Sequence, residues 1–428
     1  MSSKALFSHD GETFEFPEVA ATEGNRGYDT TGFFPQTGKV FLDNGFANTA
    51  SCCSAITFIN GGEGVLRHRG YPIDQLAENA SFLEVAYLLL YEELPTLAEL
   101  EQFRDDVMRR MMLDEGQREM FRSFPRGAHP MQVLQANVSA LAAFNPGTLD
   151  PHDPEQLNEA SLRLLGAMPT LAAYAYKASV GEPYLYPKRH RGYVENYLRM
   201  SFASPLEEYH VDPDVVKAFE TLFILHADHG QNCSTSAVRL VGSSDATLYA
   251  SVAAGIGALS GPLHGGANQA VLEMLSMIRQ EGLSARDFLK QVKDKESTIR
   301  LMGFGHRIYK NYDPRAKIIK THAYKLLEHA SKSNDLLQIA LELEETALND
   351  DYFIERRLYP NVDFYTGLIY KAMGFSPTFF TALFALGRLP GWIAQYREQQ
   401  QDPDRKISRP RQIYTGEPLR EFVPIEQR

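Results

Sequence analysis

From Ala246 to Leu272 the chain carries no Asp, Glu, Lys or Arg. An uncharged run of this length is long enough to cross a bilayer. Its Gly, Ser, Pro, His and Asn content instead predicts a helix and a turn buried in protein. Within it, His264 is the only side chain that titrates near neutral pH, and it stands among Gly261, Pro262, Gly265 and Gly266. Glycine permits unusual backbone angles and close approach of a ligand. An imidazole at such a turn can present one nitrogen to a substrate while the backbone fixes the other. A buried histidine satisfied by a carbonyl explains the same residues equally well.

The rest of the chain sets a strand-like texture against a helical one. Residues 1–70 read as short strands, and "AITFINGGEGVLRHRGY" places a Gly-Gly turn between two β-rich runs. After Tyr71-Pro72, apolar residues recur at helical spacing. Examples are "IDQLAENASFLEVAYLLLYEEL", "LAELEQFRDDVMRRMML", "DVVKAFETLFILHADH", "LLQIALELEETALND" and "PTFFTALFALGRLPGWIAQYREQ". The expected fold class is mainly α with a small β-rich N-terminal region. "AAFNPGTLDPHDPEQ" is a loop between helical patterns rather than a domain boundary.

With 43 basic and 54 acidic residues the net charge is -11. That argues against nucleic acid or an anionic membrane as the main partner, while leaving small anionic substrates open. Cys52, Cys53 and Cys233 are odd in number and lack metal-ligand spacing, which predicts reduced thiols and a cytoplasmic protein. Cys233 is expected to be a buried thiol. The N-terminus "MSSKALFSHDGETFEF" lacks the apolar stretch of a signal peptide.

Several segments could carry chemistry. In "LFILHADHGQNCSTS", His226 and His229 share a face if the helix runs through both, but no further His/Asp cluster completes a metal site with Asp228. "RLMGFGHRIYKNYDPRAK" surrounds His306 with Arg300, Arg307, Lys310, Arg315 and Lys317, and its Gly303-Phe304-Gly305 could bring backbone amides to a flat ring or a phosphate. Arg315, at the start of a helix, could deliver a guanidinium to a carboxylate. A solvated face accounts for Arg307 and Lys317. In "RLYPNVDFYTG", Asp363 sits among apolar and aromatic residues. It reads as a base of raised pKa or as a helix N-cap, and both can hold in part. Arg388 precedes a Pro-Gly pair in an apolar context, and Arg409 and Arg411 lie near the C-terminus. Buried arginines suit bidentate carboxylate binding, whereas a surface role is the default for Arg411.

Taken together, "HADHGQNCSTS", "GPLHGGANQA", "RLMGFGHRIYKNYDPRAK", "YPNVDFYTG" and "RPRQIYTG" closely resemble the citrate synthase family, in its bacterial hexamer-type branch and with an actinobacterial character. The resemblance covers nearly the whole chain. It implies a two-domain helical fold: a β-rich region at 1–70, a large helical domain at 71–275 and 380–428, and a small helical domain at 276–379. It implies condensation of acetyl-CoA with oxaloacetate and water to citrate and CoA, the first step of the tricarboxylic acid cycle, without a metal or redox cofactor. By the same resemblance, His264 stabilises the enol of acetyl-CoA, Asp363 removes the methyl proton and His306 polarises the oxaloacetate carbonyl. His229, Arg315 and Arg388 hold oxaloacetate, and Arg409 comes from a neighbouring subunit. A homodimer is then the minimum active unit, with a hexamer as the larger form. Arg300, Gly303, Phe304, Gly305 and Lys310 fall where relatives contact CoA. Some hexameric relatives are inhibited by NADH. Here Arg163 is present, but Asn145 and Ala167 stand where those relatives carry a tyrosine and a lysine, so weak or absent NADH inhibition is expected.

The chemistry agrees with the residue types. A thioester methyl is a very weak acid, while a free Asp has a pKa near ~3.9. The site must therefore desolvate Asp363 and supply a donor to the oxygen that gains charge. One such donor contributes about 2.7–4 kcal/mol, so positioning and carbonyl polarisation must supply the rest. Alternatives are 2-methylcitrate synthesis from propionyl-CoA, a metal-dependent hydrolase built on His226, Asp228 and His229, and a non-catalytic helical scaffold.

Overall fold

The computed structural model describes residues 4–9, 11–329 and 335–428. Its contacts divide the chain into two compact units, Met1–Cys53 with Ser408–Arg428, and Ser54–Ile407. In the first, strands Lys4–His9, Glu12–Val19 and Gly27–Tyr28 form an antiparallel sheet, with Lys4 opposite Pro17 and His9 opposite Glu12. Phe7, Phe33 and Phe41 pack on it, the rings of Phe33 and Phe41 stacked at 4.3 Å. Ser408–Arg428, assigned from the sequence to the large helical domain, groups with residues 1–53 instead. It is extended and exposed apart from one short turn, so it has no helix to join the larger core.

The second unit begins with the hairpin expected around the Gly-Gly turn. Strands Thr57–Asn60 and Val65–His68 pair antiparallel, Thr57 opposite His68 and Asn60 opposite Val65. The glycines do more than turn the chain. The Gly61 carbonyl accepts from the Lys310 amide at 2.8 Å, and a Cβ at Gly61 would lie 2.2 Å from the Ile308 carbonyl oxygen. The hairpin tip therefore rests on the loop that follows His306, and β structure at 57–72 belongs to the helical unit.

Helices build the remainder. The single periodic run at 73–94 divides into Ile73–Asn79 and Phe82–Tyr91 because Ser81 and Glu84 form a capping box that starts a new helix. Thr96 and Glu99 do the same for Leu97–Arg109. Proline opens Pro130–Phe144, Pro154–Val180 and Pro213–His226, where its missing N–H is not needed. The uncharged run becomes helix Leu248–Leu259, a turn, and the start of helix Ala267–Glu281. Its small residues let helices approach: a Cβ at Gly255 would meet Val238 Cγ2 at 2.6 Å. No helix among the described residues is long and apolar enough to cross a membrane.

Phe380–Gln401 is buried along most of its length and packs against Phe82–Tyr91, Pro154–Val180, Pro213–His226, Cys233–Gly242 and Leu248–Leu259. A helix apolar on every side belongs in the centre of a core. It continues through Pro390, and Gly391 explains how neighbours fit, since a Cβ there would lie 2.1 Å from the Ala227 carbonyl oxygen. Cys233 is exposed rather than buried. It is the first residue of helix Cys233–Gly242, and Val238, Arg239 and Gly242 carry the inward face.

Candidate active site

Helix Pro213–His226 ends at His226, so His229 lies beyond it and the two imidazoles do not share a helical face. His226 Nδ1 is taken by the Leu222 carbonyl at 2.7 Å. His229 Nε2 shares a 3.0 Å hydrogen bond with the Tyr309 hydroxyl. Gly230 turns the chain away at φ 57. Among the described residues no three His, Cys, Asp or Glu side chains converge as a metal-ligand group.

The glycines around Phe304 serve a loop of left-handed backbone, φ 78 at Gly303 and 76 at Gly305. This loop is laced to residues 359–361. Gly305 N donates to Tyr359 O at 2.7 Å, Asn361 N to Gly303 O at 2.9 Å, and Asn361 Nδ2 to Gly305 O at 2.9 Å. His306 leaves the loop with its tautomer set. Its Nδ1 accepts from the amides of Ile308 at 3.0 Å and Tyr309 at 3.2 Å, which leaves Nε2 to carry the proton. Arg315 Nη2 lies 3.5 Å from that nitrogen.

Asp363 follows on helix Val362–Ala372. Its cap is Asn361, whose Oδ1 accepts from Asp363 N at 3.0 Å, so the carboxylate of Asp363 is spared capping duty. Part of its surface is open, yet desolvation by the surrounding protein pushes its acid up to about 6, with Arg315 pulling the other way, Asp313 adding to the rise and Arg388 opposing it.

Two buried arginines flank it electrostatically. Arg315 is held in a fork by Asp313, Nε to Oδ1 and Nη2 to Oδ2, each at 3.0 Å. Asp313 Oδ2 also accepts from Val362 N at 3.2 Å, so one carboxylate fixes both the guanidinium and the start of the Asp363 helix. Burial opposes the charge on Arg315, but Asp313 outweighs it and raises its pKa. Arg388 donates from Nε to the His226 carbonyl at 2.5 Å and lies over the Phe384 ring at 4.9 Å. Desolvation lowers it to about 10, with Asp228 opposing, and it stays a cation at neutral pH.

His264 completes the set from the bare turn. Its Nε2 accepts from Ser234 N at 3.2 Å, with the Ser234 hydroxyl 2.9 Å away, which leaves the proton on Nδ1. Ser234 Oγ is itself fixed by the indole N–H of Trp392 at 3.2 Å. Desolvation, reinforced by Arg388, holds His264 at about 4. Desolvation, reinforced by Arg315, holds His306 at about 4. His229 is pushed well below its ordinary value by burial, then by Arg315 and His306. The result is two guanidinium cations, three neutral imidazoles and one carboxylate of raised pKa, each sensing its neighbours.

Residues 45–411 match the family described as citrate synthase, C-terminal domain. The chain belongs to the citrate synthase family. It is 56% identical over 424 residues to Citrate synthase 1 of Mycobacterium tuberculosis, covering 99% of this chain and 98% of that protein. It is 54% identical over 428 residues to the citrate synthase of Corynebacterium glutamicum, covering 100% and 98%. Among solved structures, the citrate synthase from Pyrobaculum aerophilum superposes with a TM-score of 0.83 at 34% identity, over 92% of this chain and 98% of that one. The Thermoplasma acidophilum citrate synthase, solved as a ternary complex with carboxymethyl coenzyme A and oxaloacetate, gives 0.82 at 30% identity, over 91% and 100%. As a member of the citrate synthase family, this chain is a condensing enzyme of the acyltransferase kind.

The remaining candidates fall at different places in this citrate synthase fold. Arg300 and Lys310 are exposed. Phe304 packs edge-on against Phe364 at 5.0 Å, and the Gly305 amide is already used by Tyr359. Arg409 is exposed and lies in the Met1–Cys53 and Ser408–Arg428 unit. The sequence marks Asp313 only as part of the turn that opens the Arg315 helix, and it does not single out His68, Asn361, Ser234 or Tyr309. Only His68 left a usable trace: alternation in "VLRH" puts it on the buried face with Leu66.

Proposed function

We propose that this chain condenses acetyl-CoA with oxaloacetate and water to give citrate and CoA. One observation carries the reading: Asp363, its acid raised to about 6, stands in the field of Arg315 and Arg388, the same two cations that help keep His306 and His264 neutral. Asp363 is ionised at neutral pH yet a stronger base than a free aspartate. It takes a methyl proton from acetyl-CoA while His264 Nδ1–H donates to the thioester oxygen. The enol carbon then attacks the oxaloacetate ketone, whose oxygen gains charge against His306 Nε2–H. Arg315, Arg388 and His229 hold the two substrate carboxylates. Water hydrolyses the resulting citryl thioester, and CoA leaves as the thiol. Preorganised donors of this kind act on charge that develops only in the transition state.

The large domain, 71–275 with 380–407 once Ser408–Arg428 is grouped with residues 1–53, and the small domain 276–379 are proposed to close over the substrates and exclude water until the thioester forms. Arg409 is proposed to reach the site of a second copy, which makes a homodimer the smallest active form and a hexamer a larger assembly of it. No metal or redox cofactor enters this scheme, and a cytoplasmic setting suits it. The test is thiol release. Free CoA should appear only when acetyl-CoA and oxaloacetate are both present, and EDTA should leave the rate unchanged. No thiol release from the folded protein would end the proposal.

A further inference from the structure

One tyrosine joins the two imidazoles assigned to oxaloacetate. Tyr309 is buried, at 2% exposure, and lies between the Gly305 turn and helix Pro314–His329. Its backbone amide donates to His306 Nδ1 at 3.2 Å, and its hydroxyl shares a 3.0 Å hydrogen bond with His229 Nε2. Its ring centre stands 4.8 Å from that of His306, and the Arg315 guanidinium lies 5.8 Å from it, within reach of a cation–π contact. The hairpin tip pins the chain on either side. Lys310 N donates to Gly61 O at 2.8 Å, and Gly61 packs so closely on the Ile308 carbonyl that it has no room for a Cβ. Burial pushes the Tyr309 phenol well above its ordinary pKa and the His229 imidazole well below its own, so both are neutral. A neutral imidazole has one N–H and one acceptor nitrogen, and a carboxylate only accepts. His229 therefore serves a dicarboxylate only through its N–H. The hydroxyl occupies Nε2, which leaves Nδ1 to face a ligand. Nδ1 must then carry the proton, and Nε2 must accept from the phenol.

We infer that Tyr309 is a positioning residue for the keto-dicarboxylate substrate: its hydroxyl donates to His229 Nε2 and so fixes the His229 proton on Nδ1, aimed at a substrate carboxylate. The inference rests on the assignment of His229 to oxaloacetate made above. One residue thereby sets two imidazoles in opposite senses. Its amide leaves His306 to donate from Nε2, and its hydroxyl leaves His229 to donate from Nδ1. The hairpin gains a part in substrate binding, because its tip holds both chain neighbours of Tyr309.

Tyr309→Phe removes the hydroxyl and keeps the ring that meets His306 and Arg315. The KM for oxaloacetate is expected to rise about five- to tenfold, as for loss of one buried hydrogen bond, with kcat and the KM for acetyl-CoA within about twofold of the parent. On a His229→Asn background the same substitution should add less than about twofold, because asparagine ends near the position of Nδ1 and does not reach the hydroxyl. If Tyr309→Phe does not fold, His229 decides alone. His229→Asn, with its amide near the position of Nδ1, should keep a lower KM for oxaloacetate than His229→Gln, whose amide lies near that of Nε2. Four results overturn the inference: a folded Tyr309→Phe enzyme with the parent KM for oxaloacetate, an equal rise in both KM values, an undiminished effect on the His229→Asn background, or a lower KM in His229→Gln than in His229→Asn. Absence of thiol release by the parent enzyme itself would instead sink the proposed function and this inference with it.

Discussion

The side-chain amide of Asn361 donates to the carbonyl of Gly305 at 2.9 Å, and its oxygen accepts from the amide of Asp363 at 3.0 Å. One side chain thus sets the distance between the loop that presents His306 and the helix that presents Asp363. Removing it acts on both.

Asn361→Ala loses a helix cap and a loop hydrogen bond. A cap contributes about 1 kcal/mol and the second bond about 0.5–1.5 kcal/mol, so a drop in stability of about 2 kcal/mol is expected. Turnover should fall by more than that loss of folded protein accounts for, because misplacement by about 1 Å can cost on the order of a hundredfold. Denaturant melts and kcat on the same preparation check this, and an enzyme that is destabilised but fully active would contradict it.

Asp363→Asn should fold and lose on the order of 10²–10⁴ in kcat, the usual contribution of a positioned base. In the parent enzyme kcat should fall as pH drops through about 6, where Asp363 takes up its proton. The stability effect has the opposite sense. The native acid is raised, so between about 4 and 6 the native state binds more protons than the unfolded chain, and stability declines as pH rises through that window. Asp363→Asn should therefore be the more stable protein at neutral pH, by less than about 3 kcal/mol because the carboxylate is partly solvated.

The buried imidazoles titrate the other way. His68 and His226 are held at about 3 by desolvation, with the Arg388 and Arg315 charges adding to the effect in both. Their stabilisation is present above the unfolded value of about 6.5 and is lost as pH falls toward the folded values. The parent should lose stability steeply between about pH 6 and pH 4, and His226→Gln should show a shallower acid limb over this range. Thermal melts across that range read the slope.

NADH should inhibit weakly or not at all. Arg163 is engaged by Glu159 at 3.2 Å, Asn145 is tied by its side chain to the Leu141 carbonyl, and Ala167 is buried without a charge to offer. An initial-rate titration with NADH checks this, and inhibition at low micromolar NADH would refute it.

Acetyl-CoA is expected to be preferred to propionyl-CoA in kcat/KM. One methylene in a pocket changes binding by about 1–3 kcal/mol, so the expected ratio is about tenfold or more. Parallel assays with the two thioesters give the ratio. A reversed preference of more than tenfold would make 2-methylcitrate the product.

Periodicity and local chemistry determined a good deal by themselves. Apolar spacing predicted helices after residue 72, and the Gly-Gly turn predicted the hairpin now seen at Thr57–Asn60 and Val65–His68. The bare run around His264 became a buried helix, but the turn after it is open rather than buried, with Pro262 and Leu263 exposed, and the motifs around His229, His306 and Asp363 named the family. These are signals carried by neighbours in the chain, where side-chain period and turn preference act within a few residues.

Tertiary packing decided the rest. Asn361, not Asp363, became the cap because the 303–305 loop supplied Gly305 as a second partner for its side chain. The end of the helix at His226 separated two histidines that spacing had placed together. His306 and His264 acquired opposite tautomers, one from the amides of its own loop and one from Ser234, thirty residues away in sequence. His68 found its partner in Thr57 only because two strands paired across the hairpin. Each of these outcomes depends on which groups meet after the chain is packed and desolvated, and no short stretch of sequence encodes that meeting.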